Sequence, residues 1–405
     1  MKNLLCFILL ALLAGSCQEQ LILKESENIL PEQQLAFESA LDLPPVFANY
    51  DRKLPDYLKS LGLVVQPVDD GKATLGRVLF YDKNLSQDRT ISCASCHKQE
   101  LAFSDNVAVS TGIYGLKGTR NALPLGNVAS FSAHYRAING PAPQLLWDNR
   151  ASSVEQQSTM AFLNDHEMGM TLQEVVNRIV EQPYYPYIWN KVYGNFNVTS
   201  DQVLECLSEF VGAMGAHDSR FDGGLEEANG NINISSVDTI TSILPIYYGN
   251  GGDTLTTIQT TGIPGFTTIE NRGRDIFVVN CSKCHSPLRT TQEVLEACTG
   301  LSMNYTDGGV GAISGNSNQV GVFKSPSLRN IALTAPYMHD GRFKTLMEVV
   351  SFYNNGVKNH PNLHPEMKLN LNLNASDLNA LVAFLNTLTD HELIRDERFA
   401  NPFKQ

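Results

Sequence analysis

The chain has 405 residues, a formal net charge of −12 and a hydrophobic share of 42%. It is long enough for two domains with separate cores and too apolar to be disordered overall. The acidic balance and the lack of clustered Lys and Arg exclude nucleic acid as a partner, whereas an acidic face suits a basic protein.

Residues 1–17 read as a leader. Met1-Lys2-Asn3 is followed by an apolar run from Leu4 to Leu13 and then by Ala14-Gly15-Ser16-Cys17, the layout of a secretory signal. The run is too short for a membrane span. Its end resembles a bacterial lipobox, which would make Cys17 the lipidated first residue and attach the protein to a membrane. Ala14 stands where an aliphatic residue is usual, so plain secretion is the alternative. Either reading places the protein in the periplasm or cell envelope, and 18–70 follows as an N-terminal extension.

Export changes what the cysteines mean. With Cys6 and Cys17 set aside, six of the eight remain, and an oxidising compartment would suggest three disulfides. Four of them, however, sit in two Cys-x-x-Cys-His units, "CASCH" from Cys93 and "CSKCH" from Cys281. Cys206 and Cys298 are left as the only ordinary pair, their connectivity open.

Each unit has a similar lead-in, Gly76-Arg77-Val78-Leu79-Phe80 and Gly273-Arg274-Asp275-Ile276-Phe277. Both predict short helices with a glycine where a crossing helix can come close, and together they predict an internal duplication. Between them, Asp201 to Gly215 places Val203, Leu207, Phe210, Val211 and Met214 at helical spacing. Residues 223–265 lack periodicity and read as an inserted loop or linker, and 300–319 as another loop. Further on, Leu346, Val349, Val350 and Tyr353 share one helical face. Ser376 is a candidate cap for a helix carrying Leu378, Leu381, Val382, Leu385 and Leu388, suited to the terminal helix of a cytochrome c domain. The expected fold is mainly α, with two cytochrome c-like haem domains over 71–222 and 266–395, long loops, little strand and a tail at 396–405.

The Cys-x-x-Cys-His spacing suits covalent haem c. The two sulfurs reach the two vinyl groups on one porphyrin edge, and the adjacent His97 or His285 turns under the iron. A redox pair or a zinc site is the competing reading, but zinc draws on two separated pairs, and here each pair has its own immediate His. Two covalent haems follow, held by Cys93, Cys96 and His97 and by Cys281, Cys284 and His285.

Beyond these units, "KGTRNALPLGNVA" from Lys117, "WDNRASSVEQQ" from Trp147, "EMG" from Glu167 and "LRNIALTAPYMHDGRFKTL" from Leu328 resemble the bacterial di-haem cytochrome c peroxidase and MauG family. The likeness runs from about Leu75 to Leu388. It implies that the N-terminal haem is where hydrogen peroxide is reduced, with Gln157 and Glu167 over it, ten and twenty positions beyond Trp147. Glu167 would be the general acid/base and Gln157 would orient peroxide. Trp147 would relay electrons between the haems. Asn121, Thr334 and Pro336 match positions that supply oxygens to a calcium ion, and a small c-type cytochrome or cupredoxin would be the electron donor. Family members are often homodimers.

Two departures stand out. Where many members carry a histidine that ligates the peroxidatic iron, this chain has Ile113, which cannot; Tyr114 and His134 are substitutes, and otherwise the iron face is open. Fourteen residues after His339, where conventional peroxidases place a distal methionine, stands Tyr353, as in MauG-like members. Met338 and Met367 are rival ligands, and Tyr353 could equally be a core aromatic. The leading function is peroxide reduction at the N-terminal haem with electrons from the C-terminal one. The alternatives are a MauG-like oxidase, which uses bis-ferryl iron made from peroxide on a protein or organic substrate, and a non-catalytic di-haem electron carrier.

Overall fold

The computed structural model describes residues 29–51, 53–60, 67–126, 145–231, 262–285, 296–367 and 370–404. The leader with Cys17, His134 and most of the 223–265 segment lie outside them. No helix among the described residues is long and apolar enough to cross a membrane.

Helices dominate. They are α1 (Pro31–Ala40), α2 (Asp70–Tyr81), α3 (Val154–Leu163), α4 (Leu172–Glu181), α5 (Tyr185–Tyr193), α6 (Ser200–Ala213), α7 (Arg220–Asn231), α8 (Thr268–Asn280), α9 (Leu346–Ser351) and α10 (Ala375–Asn386). Among the described residues the only sheet is antiparallel and two-stranded, β1 (Glu296–Cys298) on β2 (Val322–Lys324), with Ala297 opposite Phe323. Polar side chains start the long helices. Asp69 accepts from the Lys72 N–H at 2.9 Å, and Thr199 and Thr267 form capping boxes with Gln202 and Glu270.

The duplication is a packing motif. In the N-terminal module α2 crosses α6, and in the C-terminal module α8 crosses α10. A Cβ on Gly76 would stand 1.9 Å from the Cys206 carbonyl oxygen and 2.8 Å from Phe210 Cβ; one on Gly273 would stand 1.9 Å from the Ala380 oxygen and 2.8 Å from Phe384 Cβ. Both crossings need a bare α-carbon. Around them form two cores, one holding Val78, Phe80, Leu207 and Phe210, the other Phe277, Leu381, Phe384 and Leu385.

Several boundaries differ from the sequence reading. The cap of α10 is Asn374, which accepts from the Asp377 N–H at 3.1 Å, so Ser376 lies inside the helix. The expected loop from residue 223 is helical as far as Asn231, and α7 packs Phe221 and Leu225 into the second core, where Phe221 meets Phe384. Residues 396–404 are no loose tail. Phe399 lies in the first core, the Ala400 carbonyl accepts from Arg77 Nε at 2.6 Å, and Phe403 bridges to Leu41. The extension is tied down as well, with Phe37 and Tyr50 in the first core and Leu54 and Tyr57 in the second. Cys206 and Cys298 are both free and buried, one under the α2–α6 crossing and the other in β1, so they form no disulfide.

Two candidate haem sites

Each Cys-x-x-Cys-His unit opens onto a large cavity. In the N-terminal module Cys93–Cys96 is a single helical turn, and His97 closes it, its N–H donating to the Cys93 carbonyl at 3.0 Å. That turn places both sulfurs and the imidazole on the wall of a cavity of about 360 Å3. His97 Nδ1 lies 2.8 Å from the Phe103 carbonyl oxygen, which can only accept, so Nδ1 carries the proton and the Nε2 lone pair is available to a metal. Burial lowers the pKa of His97 and keeps the ring neutral.

The C-terminal site repeats the arrangement. His285 donates its N–H to the Cys281 carbonyl at 2.9 Å, and its Nδ1 lies 2.9 Å from the Pro326 oxygen. Burial lowers this imidazole too. Cys281, Cys284 and His285 line a cavity of about 310 Å3. Burial pushes the Cys93 and Cys281 thiols up to about 12, as apolar surroundings do. Paired sulfurs, an oriented imidazole and a roomy apolar wall fit a covalently tethered macrocycle at both places. Among the described residues no three His, Cys, Asp or Glu side chains converge as a zinc site requires.

Two family models divide the chain along the same lines. Di-haem cytochrome c peroxidase matches residues 70–229, and cytochrome c matches residues 270–389. The chain belongs to the di-haem cytochrome c peroxidase and MauG family. It is therefore a di-haem oxidoreductase with two haem c groups. Among its relatives are the methylamine utilization protein MauG of Paracoccus denitrificans, 29% identical over 83% of this chain and 93% of that protein, and cytochrome c551 peroxidase of Nitrosomonas europaea, 26% identical over 80% and 82%. A solved MauG-like protein associated with microbial copper homeostasis is 27% identical, with TM-score 0.65, over 89% of this chain and 98% of that one. The di-haem peroxidase BthA of Burkholderia thailandensis, at 20% identity and TM-score 0.59 over 85% and 92%, shares the fold.

Within this family member, Gln157 on α3 and Glu167 on the following turn line the same cavity as His97. The Asn164 amide donates to Glu167 Oε1 at 2.7 Å. Burial raises the Glu167 carboxyl, opposed by the Asn164 bond and the Arg150 charge. The residue nevertheless keeps exposed surface, because what it meets is the cavity. The turn is braced from outside: Ile113 donates its N–H to the Glu167 carbonyl at 3.1 Å, and a Cβ on Gly112 would stand 1.9 Å from the His166 oxygen.

Ile113 itself is buried beside Gly169, and it is not among the cavity-lining residues. Tyr114 is 66% exposed and outside the cavity as well. Trp147 lines both cavities, and its indole N–H donates to the Asn121 carbonyl at 2.8 Å. Leu146 and Asn149, at φ of 68° and 59°, form the tight turn that presents it. Beside it Asp148 takes Arg120 Nη1 at 2.5 Å, and the same guanidinium holds Asp307 at 2.6 and 2.8 Å.

Tyr353 lines the C-terminal cavity from a π-helical turn, Phe352–Gly356, that continues α9. Burial, and then the neighbouring Cys281 and Cys284 sulfurs, raise its phenol above the ordinary range. Met338 and Met367 line the same cavity. So do Asn121, Thr334 and Pro336; they offer neutral oxygens, and water would complete the shell of about six to eight that calcium takes. Sequence reasoning missed Arg150 and His166 on the first cavity and Lys324 on the second. Lys324 is lowered to about 8 by burial. No pattern in the sequence marks it; it ends β2, and its backbone N–H donates to the Trp147 carbonyl at 2.8 Å.

Proposed function

We propose that this exported di-haem enzyme reduces hydrogen peroxide to water at the N-terminal site, with electrons entering at the C-terminal site from a small c-type cytochrome or cupredoxin. The observation that carries the reading is the shared cavity of His97, Gln157 and Glu167, with Ile113 withdrawn from it. When bound, the haem supplies an iron that takes up peroxide and passes electrons. Glu167 takes a proton from the incoming peroxide oxygen and returns it to the leaving one, so that water departs. Its raised carboxyl suits the role, because it is a stronger base toward the peroxide proton than an ordinary glutamate, and an acid/base works best with its pKa brought toward the operating pH. Gln157 holds the substrate by its amide, and Trp147, on the wall of both cavities, relays electrons between them. A pure carrier has no use for a carboxyl in that place.

Tyr353 favours a second reading, a MauG-like oxidase acting on a protein or organic substrate. A phenolate stabilises higher iron oxidation states, whereas a methionine thioether stabilises the reduced one, and Tyr353 shares its cavity with Cys281, Cys284 and His285. Steady peroxide turnover with reduced cytochrome c supports the first reading, and fast peroxide consumption with sluggish cytochrome oxidation supports the second. Absence of any reaction with peroxide sinks both. Lipid attachment at Cys17 and calcium at Asn121, Thr334 and Pro336 belong to the same proposal, and lipid mass analysis and chelation test them.

A further inference from the structure

Beside the C-terminal cavity lies a cluster that peroxide reduction does not use. Cys298, 1% exposed, ends β1, and its Sγ lies 3.8 Å from Tyr305 Oη and 3.6 Å from His360 Nδ1. The Asn362 N–H donates to that same Nδ1 at 3.1 Å, which fixes the tautomer with an unprotonated nitrogen toward the thiol. The Leu301 N–H holds Tyr305 Oη at 2.8 Å. The cluster is contiguous with the wall between the two cavities. The Tyr305 ring is 6.4 Å from the His339 ring, which is stacked on Phe323 at 3.8 Å and lies 6.4 Å from Trp147.

We propose that Cys298, with Tyr305 as bridge and His360 as base, is an internal electron donor that discharges the oxidised haem sites when no outside donor is at hand. This rests on the peroxide-reducing reading, with hydrogen peroxide as the oxidant. In the step, one electron leaves the Cys298 sulfur by way of Tyr305 and His339 and reduces an oxidised haem site by one unit. The S–H bond breaks, and its proton passes to His360 Nδ1, releasing the Asn362 N–H. The products are a sulfur-centred radical and an imidazolium. Burial keeps both from solvent, and a thiol with a neutral base in contact loses an electron more readily than one without.

The test mixes the two-haem protein with one equivalent of peroxide and no donor, follows the return of the haem absorbance, and freezes samples for electron paramagnetic resonance. C298S and Y305F keep the shape of the cluster. Each is expected to slow the unaided return at least threefold and to lose or alter the organic radical signal, while turnover with an outside donor stays as in the parent. Equal return rates and equal radical signals in parent and variants, with donor-fed turnover intact, overturn this inference and leave the peroxidase reading standing. A parent protein inert to peroxide overturns both.

Discussion

Gly76→Ala and Gly273→Ala put the duplicated crossing to the test. In each, a new Cβ would arrive 1.9 Å from a backbone carbonyl oxygen, where real Cβ atoms essentially never come closer than 3.0 Å, so the helices must part by roughly 1.1 Å. The obstacle is backbone, so no rotamer change relieves it. Overpacking of this kind costs about 1–3 kcal/mol, and a gap of about 1 Å forfeits up to about half of the dispersion energy between the parted surfaces. Replacing Gly by Ala inside a helix returns about 1 kcal/mol of propensity, so overpacking alone leaves a net loss of up to about 2 kcal/mol at each crossing, to which the lost dispersion adds. Gly212, in α6 with nothing within 4 Å of its would-be Cβ, is the control, and Gly212→Ala should be neutral or stabilising. Denaturant melts read separately at the two haem environments should show Gly76→Ala lowering the N-terminal transition and Gly273→Ala the C-terminal one. If both match Gly212→Ala, the close-crossing account is wrong.

Glu167→Gln should slow peroxide cleavage by about a hundredfold or more in stopped-flow mixing. Because the folded carboxyl is raised, its charge penalises the native state as pH rises through the folded pKa, so the same variant should melt no lower than the parent at neutral pH. In the parent, the rate of reaction with peroxide should climb with pH through a value above the ordinary carboxylate range. Tyr353→Phe should alter the low-spin resonance of the C-terminal haem, and an unchanged spectrum would pass the ligand role to Met338 or Met367. Burial raises the Asp222 carboxyl, but the bidentate Arg329 pair, at 2.7 and 2.8 Å, outweighs it and holds the group at about 2. Its stabilisation is complete above the unfolded value near 3.9 and is lost as pH falls toward 2. Arg329→Met strands that buried charge, so a loss of about 3–5 kcal/mol is expected at neutral pH, shrinking as acid protonates the Asp222 carboxyl that burial now raises, in pH-titrated melts.

Local patterns carried far in this chain. The Cys-x-x-Cys-His spacing is itself the geometry of one helical turn and its closing residue, and each lead-in glycine marks a crossing because nothing larger fits. Caps were harder, since Asn374 and Ser376 are both good cap residues and only the φ/ψ of the chain separates them. The helix α7 was hidden by Gly223, Gly224 and its polar residues; packing of Phe221 and Leu225 into the second core, where Phe221 meets Phe384, outweighs that weak propensity. Arg150, Lys324 and the Cys298, Tyr305 and His360 cluster could not be read in advance, because each is assembled from segments far apart in sequence.

The last residues of the chain complete the first core. Phe399 lies within 6.2 Å of the rings of Tyr50, Phe103 and Phe210, and the carbonyl of Ala400 meets Arg77. The first core therefore closes only once Phe399 and Ala400 have joined it, from beyond the whole C-terminal module. A truncation that removes residues 396–404 should thus injure the N-terminal module, at the opposite end of the sequence.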